Sequence, residues 1–419
     1  MTRIRARLIA LLLLPLACGP LSAATPEPEP QVSSGHLITI ENFESDYVPG
    51  RDIFVWLPPG YDEKRRYAVL YMHDGESLWD ASTTWNGQEW GVDEAVAGLL
   101  DEGSIRDVIV VGIPNAGSER AIEYLPQKPF EAMPPEDQQA LYAIEHPEFG
   151  RIYSGPIRSD AYLRFLVGEL KPYIDGRYPT LPDRDNTFVM GSSLGGLISI
   201  YAISEYPDVF GGAACLSTHW PGSLYPGESP FPALMRQYLA EHIPAPEGHR
   251  LWFDYGSEGL DASYAEYQHK VDGIVRNKGY GNDRWITYHA AGADHNEDAW
   301  RARLHHPLTF LLAPRPPPPV VLASVVSPDG QNEWRLAIDH AGLPRYSVER
   351  GGRVVVDNDE TLRRYALMAQ AQAAASLSHP NIVQVYQLAK ALEVPRSVID
   401  ALPSPDLHGV GDEHNDEAE

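Results

Sequence analysis

Apolar runs of strand length alternate with longer stretches of helical period between about residue 36 and residue 313. Several of these runs are apolar almost throughout, as is typical of strands that are buried on both faces of a sheet. The alternation predicts an α/β fold, with a mostly parallel sheet covered by helices on both faces. The predicted strands are 53–57, 69–72, 108–113, 187–190, 212–216, 251–255 and 285–288.

Two segments have the apolar period of a helix. Residues 160–174 carry apolar side chains at near-helical spacing behind Ser159, which suits an N-cap, and residues 304–312 predict a closing helix. Two connections, 114–154 and 218–246, exceed normal loop length. Long connections at the carboxyl edge of such a sheet usually determine substrate specificity, so we expect them to wall a pocket with Arg120 and Trp220 as substrate-binding residues.

The N-terminal residues have the pattern of an export signal. Three arginines precede a short apolar run, and small residues follow at 22–24, which predicts a signal peptide over 1–24. The apolar run is shorter than the roughly 20 residues that a bilayer span needs. A lipoprotein processed at Cys18 is the alternative. Residues 25–35 are predicted to form a disordered leader, and we expect the mature protein to be secreted, into the periplasm if the source is Gram-negative.

Composition changes at residue 314, where a Pro-rich linker spans 314–319. Beyond it, 320–402 is predicted to be a truncated accessory segment, with strand-like alternation over 320–356 and an Ala-rich helical pattern over 361–394. The acidic end, 403–419, is predicted to be disordered.

Charge and cysteine content restrict the classes of partner. The chain has 33 Lys and Arg residues against 58 Asp and Glu residues, for a formal net charge of −25. Such a field repels nucleic acid and anionic membranes, so neither is an expected partner. Once the predicted signal is removed, Cys215 is the single cysteine, and the chain cannot form an internal disulfide.

The sequence GSSLG at 191–195 fits the pattern G-x-S-x-G. A predicted strand precedes it and residues of helical period follow, which is the strand–turn–helix context that a nucleophile elbow requires. Small residues at 191 and 195 allow a tight turn that exposes the central serine. We therefore predict that Ser193 is the nucleophile of a serine hydrolase.

A serine nucleophile needs a base, and the base needs a carboxylate that orients it. In this architecture the chain order is serine, acid, histidine. His295 lies in a loop just past the last predicted strand, where the base belongs. The acid should follow the strand at 251–255, where Asp261 is favoured and Glu258 is the alternative. Asp261 also fits an N-cap for a helix that begins at Ala262.

Backbone N–H groups must stabilise the oxyanion of the tetrahedral intermediate. The N–H of Leu194 and the N–H of Glu76, in the turn after the strand at 69–72, are the predicted donors. Gly75 is expected to permit the sharp backbone of that turn. His73 and Asp74 do not indicate a metal site, because no second ligand pair has suitable spacing.

With these residues in place, the chain resembles the putative-esterase family, the esterase D-like branch of the α/β-hydrolases. The resemblance covers roughly residues 36–313 and is carried by LPPGY at 57–61, YMHDGE at 71–76, GSSLGG at 191–196 and the His295 loop. It implies an α/β-hydrolase fold and a carboxylic ester hydrolase that works through an acyl-enzyme without a cofactor. Family members act on different esters, so the resemblance implies the reaction type and not the substrate.

The tail resembles the N-terminal start of family 97 glycoside hydrolases, through SPDG at 327–330, RYSV at 345–348 and GGRVV at 351–355. This likeness favours sugar-linked acetyl or feruloyl esters as substrates. Two alternatives stay open. The first is an acyltransferase of the same fold, and the second is a non-catalytic carbohydrate-binding relative.

Overall fold

A computed structural model describes residues 29–146, 150–223, 229–313, 320–327, 330–338, 344–350 and 353–357. The predicted signal peptide, Pro-rich linker, Ala-rich helical segment and acidic end lie outside the described residues. The strands, in chain order, are β1 (His36–Phe43), β2 (Arg51–Leu57), β3 (Ala68–His73), β4 (Val108–Ile113), β5 (Glu145–His146), β6 (Gly150–Arg151), β7 (Thr187–Ser192), β8 (Gly212–Leu216), β9 (Arg250–Gly256), β10 (Trp285–Ala290), β11 (Val320–Val326), β12 (Asn332–Ile338), β13 (Pro344–Arg350) and β14 (Arg353–Asp357).

Eight strands form the central sheet in the order β1-β2-β4-β3-β7-β8-β9-β10. The strands from β4 to β10 in this order pair in parallel, whereas β1 and β2 pair antiparallel at one edge. The predicted α/β-hydrolase fold and all seven predicted strands are confirmed. The pattern missed β1, because an edge strand that is half exposed lacks a strong apolar signal.

Helices cover both faces of this sheet, and the two faces bury separate apolar clusters. The helices are α1 (Val92–Asp101), α2 (Arg120–Tyr124), α3 (Gln127–Glu131), α4 (Pro135–Tyr142), α5 (Ser159–Phe165), α6 (Lys171–Arg177), α7 (Leu194–Glu205), α8 (Phe231–His242), α9 (Ala265–Asn277), α10 (Glu297–Arg301) and α11 (His305–Leu312). The predicted helix over 160–174 is a continuous run of α5, a π-helical turn at Leu166–Leu170 and α6. The closing helix is confirmed as α11.

The last residues of the predicted disordered leader belong to the folded domain. The backbone N–H and the hydroxyl of Ser33 both donate to a carboxylate oxygen of Asp93 in α1, at 2.7 and 3.0 Å. The indole N–H of Trp56 donates to the carbonyl of Ser34 at 2.7 Å. The prediction of disorder up to residue 35 is therefore wrong at its end. The local sequence pattern did not indicate these contacts, because the residues that make them lie far apart in sequence.

Strand-like alternation over 320–356 is confirmed as four antiparallel strands in the order β11-β12-β13-β14. In the part of the chain that the structure describes, no helix has both the length and the apolar character that a membrane crossing requires.

Candidate active site

The GSSLG motif forms a sharp turn between β7 and α7. Ser193 has φ +58° and ψ −123°, which is a backbone conformation that side-chain-bearing residues rarely adopt. Its N–H donates to the carbonyl of Leu216 in β8 at 2.9 Å. A Cβ at Gly191 would lie 2.8 Å from the carbonyl carbon of Gly195, so the glycine is needed for the tight approach. The turn has the geometry that the sequence predicts for a nucleophile elbow.

Leu194, a predicted oxyanion donor, is the first residue of α7. The first N–H groups of a helix have no partner within the helix, and the helix dipole favours negative charge at this end. The second predicted donor, Glu76, lies in a single 3₁₀ turn, Gly75–Ser77, at the end of β3. Both donors therefore follow neighbouring parallel strands at the same edge of the sheet.

The turn at residues 73–77 departs from the prediction in one respect. The positive φ, +57°, falls on Asp74 and not on Gly75. Gly75 is required for a different reason, since a Cβ there would lie 2.5 Å from the carbonyl carbon of Gly112 in β4. The glycine allows the turn to pack against the neighbouring strand.

Arg120 lies at this turn, but its guanidinium is already bound. Its Nε and Nη2 donate to the two carboxylate oxygens of Asp74 at 2.6 and 2.8 Å. The pair is largely buried, and the guanidinium also lies over the ring of Tyr124 at 5.1 Å. This bidentate pair uses the Nε–Nη2 edge of the guanidinium. Arg120 therefore holds Asp74 in place, and its contact with a substrate stays a prediction.

Trp220 is placed differently from the prediction. Its side chain is buried among core residues, with the ring 6.0 Å from that of Phe253. Its indole N–H donates to the side-chain oxygen of Gln268 at 2.9 Å. The structure puts Trp220 in the core and not on a pocket wall, because a neighbouring helix satisfies its polar edge.

The carboxyl group of Glu76 lies against the backbone N–H and the side-chain amide of Asn115. Burial, together with the nearby charge of Asp74, raises the pKa of Glu76 to about 7, and backbone N–H groups oppose this only in part. The residue whose backbone N–H is one predicted oxyanion donor therefore carries a carboxyl group with a raised pKa of about 7.

Glu76→Gln is expected to stabilise the protein more at pH 8 than at pH 5. The folded-state pKa is raised to about 7 from an ordinary 4.5, so ionising Glu76 removes stability as the pH rises across that interval. The glutamine remains neutral at both values. Thermal unfolding of both proteins at pH 5 and pH 8 measures the difference, and Glu63→Gln, at an exposed glutamate, is the matched control. An equal shift at both pH values would contradict the assignment.

His295 and Asp261 are in direct contact. The distance from His295 Nδ1 to Asp261 Oδ1 is 2.6 Å, and the Asp261 carboxylate is fully buried. Burial disfavours ionisation of Asp261, whereas the hydrogen bond and the electrostatic interaction with His295 favour it. Together with bonds from Ser217 and the N–H of Gly256, they keep the pKa of Asp261 below its ordinary value.

Glu258, the alternative acid, is exposed, and its carboxylate accepts from the neighbouring Ser257 hydroxyl at 3.3 Å. Asp261 lies within a 3₁₀ turn, Gly259–Ser263, and the next helix, α9, begins at Ala265. The predicted N-cap role of Asp261 is therefore wrong. Its carboxylate points into the protein because Ser217, Gly256 and His295 all direct hydrogen bonds to it.

Aromatic rings hold the His295 imidazole from two sides. Tyr264 and Trp300 make edge-on contacts with it at centroid distances of 5.7 and 5.2 Å. The Tyr264 hydroxyl lies 2.6 Å from Nδ1 of His219, whose backbone N–H donates to the carbonyl of Ser193. Within the described residues no hydrogen bond joins the Ser193 hydroxyl to His295. The two residues are connected through His219 and Tyr264.

The sequence analysis did not find Ser217, Tyr264 or Trp300 as parts of the site. Each is of a residue type common in cores, and none belongs to a motif with fixed spacing. Among the described residues no group of three His, Cys, Asp or Glu side chains could hold a metal ion.

A family model described as "Putative esterase" matches residues 50–311. The chain belongs to the putative-esterase family. The resemblance that the sequence motifs predict is thus confirmed.

Individual relatives of this putative-esterase chain are distant. It is 26% identical to the uncharacterized protein YjcH of Bacillus subtilis over 160 residues, which are 38% of this chain and 52% of that protein. The alignment therefore spans about half the length of that relative. Among solved structures, a ferulic acid esterase from Anaeromyces mucronatus in complex with ferulic acid matches with 21% identity and a TM-score of 0.44, covering 68% of this chain and 93% of the other. The enterobactin esterase of Shigella flexneri matches with 18% identity and a TM-score of 0.46, covering 67% and 60%.

Proposed function

We propose that the protein is a serine carboxylic ester hydrolase with Ser193 as nucleophile, His295 as base and Asp261 as the orienting acid. The observation that carries the proposal is the 2.6 Å contact between His295 Nδ1 and the buried carboxylate of Asp261. An ionised carboxylate only accepts hydrogen bonds, so Nδ1 carries the proton and Nε2 is left as the basic nitrogen. Membership of the putative-esterase family supports the same reaction.

In the proposed mechanism, His295 takes the proton of Ser193 as the hydroxyl attacks the ester carbonyl. The tetrahedral oxyanion accepts hydrogen bonds from the N–H groups of Leu194 and Glu76. Collapse expels the alcohol, which receives the proton from His295, and leaves an acyl-enzyme. Water, activated by His295, then attacks the acyl-enzyme and releases the carboxylic acid. The mechanism requires no cofactor.

We further propose that the substrate is a sugar-linked acetyl or feruloyl ester and that the protein is exported. The first proposal depends on the likeness of the tail to the start of a glycoside hydrolase family. The second depends on the basic residues and the short apolar run at the N-terminus.

The proposed reaction is tested with the full-length chain, a panel of acetyl, butyryl, feruloyl and catecholate esters, and a serine-directed fluorophosphonate. We expect labelling at Ser193 and release of free acid, with the highest kcat/KM on acetyl or feruloyl esters of sugars. Accumulation of a transesterified product would identify an acyltransferase instead. Absence of both labelling and turnover would identify a non-catalytic relative.

A further inference from the structure

Ser217 is the residue directly after β8, and it has an unusual backbone conformation. It has φ +40°, and it is fully buried. Its N–H donates to the backbone carbonyl of Asp254 at 2.9 Å and lies 3.1 Å from Oδ1 of the same residue. Such strain persists only where the surroundings enforce it, and it often accompanies functional sites.

The hydroxyl of Ser217 has a single possible orientation. Nε1 of Trp300 and Nη2 of Arg303 lie 3.0 and 2.9 Å from its oxygen, and both groups can only donate. They occupy both lone pairs of the hydroxyl oxygen. The hydroxyl hydrogen is therefore left for its third neighbour, Oδ2 of Asp261.

This arrangement gives the two oxygens of Asp261 separate partners. Oδ2 accepts from the Ser217 hydroxyl and, at 2.6 Å, from the N–H of Gly256. Oδ1 faces Nδ1 of His295 at 2.6 Å. The protein framework thus fixes Oδ2, and rotation of the carboxylate away from His295 would break both hydrogen bonds to that oxygen.

A buried ion pair holds the donor side of this network. Nη2 of Arg303 also contacts Oδ1 of Asp254 at 2.9 Å, and both side chains are almost completely buried. Trp252 donates to the second oxygen of Asp254 at 3.0 Å. Buried charges of this kind are tolerated only when they are paired and hydrogen-bonded, so Arg303 has little freedom to release Ser217.

Trp300 contacts both Ser217, which binds the acid, and the base His295. Its indole N–H donates to Ser217, while its ring lies edge-on to the imidazole of His295 at 5.2 Å. One side chain from α10 therefore limits the position of both residues.

We infer that Ser217 is a positioning residue that, held by Arg303 and Trp300, fixes the Asp261 carboxylate toward His295. The inference rests on the proposed function. Ser217 does not act on the substrate, and its effect passes through Asp261.

Ser217→Ala is expected to lower kcat by about 10²-fold with little change in KM, as expected when a reacting group is slightly misplaced. Loss of the donor leaves more negative charge on Asp261, so the acidic limb of the kcat/KM profile should move to higher pH. Ser204→Ala is the matched control, because that hydroxyl is also buried but donates to the carbonyl of Ile200 within α7 at 2.8 Å. The control should keep the wild-type kcat and pH profile.

A double-mutant cycle separates positioning from a general structural role. In an Asp261→Asn background, Ser217→Ala should lower kcat no further, because its effect passes through the carboxylate. Ser217→Cys, which keeps a weak donor, should fall between alanine and wild type and remains informative if the alanine variant does not fold. A wild-type kcat and pH profile in Ser217→Ala, or equal losses in both backgrounds, would overturn the inference. An inactive wild-type enzyme would overturn the proposed function instead.

Discussion

Ser193→Ala is expected to abolish ester hydrolysis while the fold remains intact. Loss of a nucleophile of this kind typically lowers turnover by about 10⁴- to 10⁶-fold. A residual rate persists because the remaining N–H donors still stabilise an oxyanion. Initial rates on a soluble ester measure the loss, and thermal unfolding verifies the fold. The residue lies at a turn whose tight backbone depends on Gly191 and not on the serine hydroxyl.

Ser192 is the matched control, because it is the adjacent serine but ends β7 in a buried position. Ser192→Ala should retain most of the activity, with a loss attributable to packing. Abolished activity in Ser192→Ala, with activity retained in Ser193→Ala, would refute the assignment of the nucleophile.

Asp261→Asn is expected to lower kcat by about 10⁴-fold, because an amide can donate to Nδ1 and stabilise the wrong tautomer of His295. The substitution keeps the size of the side chain, so the 3₁₀ turn at Gly259–Ser263 should persist. Steady-state kinetics at several pH values measure the effect.

Glu258→Gln is the control for this prediction, since it removes an exposed carboxylate from the same turn. Its kcat should stay close to the wild-type value. If Glu258→Gln lost most of the activity and Asp261→Asn did not, the two carboxylates would have to exchange roles in the mechanism.

The choice between Asp261 and Glu258 marks the limit of the sequence analysis. The two residues are three positions apart in one turn, and both follow β9. Local pattern therefore fits either one. The structure distinguishes the two carboxylates, because Ser217, 44 positions away, and His295, 34 positions away, both hydrogen-bond to that of Asp261.

Substrate-contact residues illustrate the same limit. Both long connections follow the strands where the prediction put them, but side-chain partners were not predictable. Arg120 pairs with Asp74, 46 positions earlier, and the indole N–H of Trp220 donates to Gln268, 48 positions later. The partners of a charged or aromatic residue in a long loop therefore become known only from the tertiary structure.

The sequence by itself determined the features that depend on neighbours along the chain. Strand–turn–helix patterning around Ser193 sets the elbow, and continuous apolar runs set the buried parallel strands. Only the tertiary structure decided which oxygen of Asp261 faces His295, why Gly75 must be a glycine and how Ser217 is held. Those features depend on hydrogen bonds and close packing between segments that are distant in sequence, and a periodic pattern contains no information about such contacts.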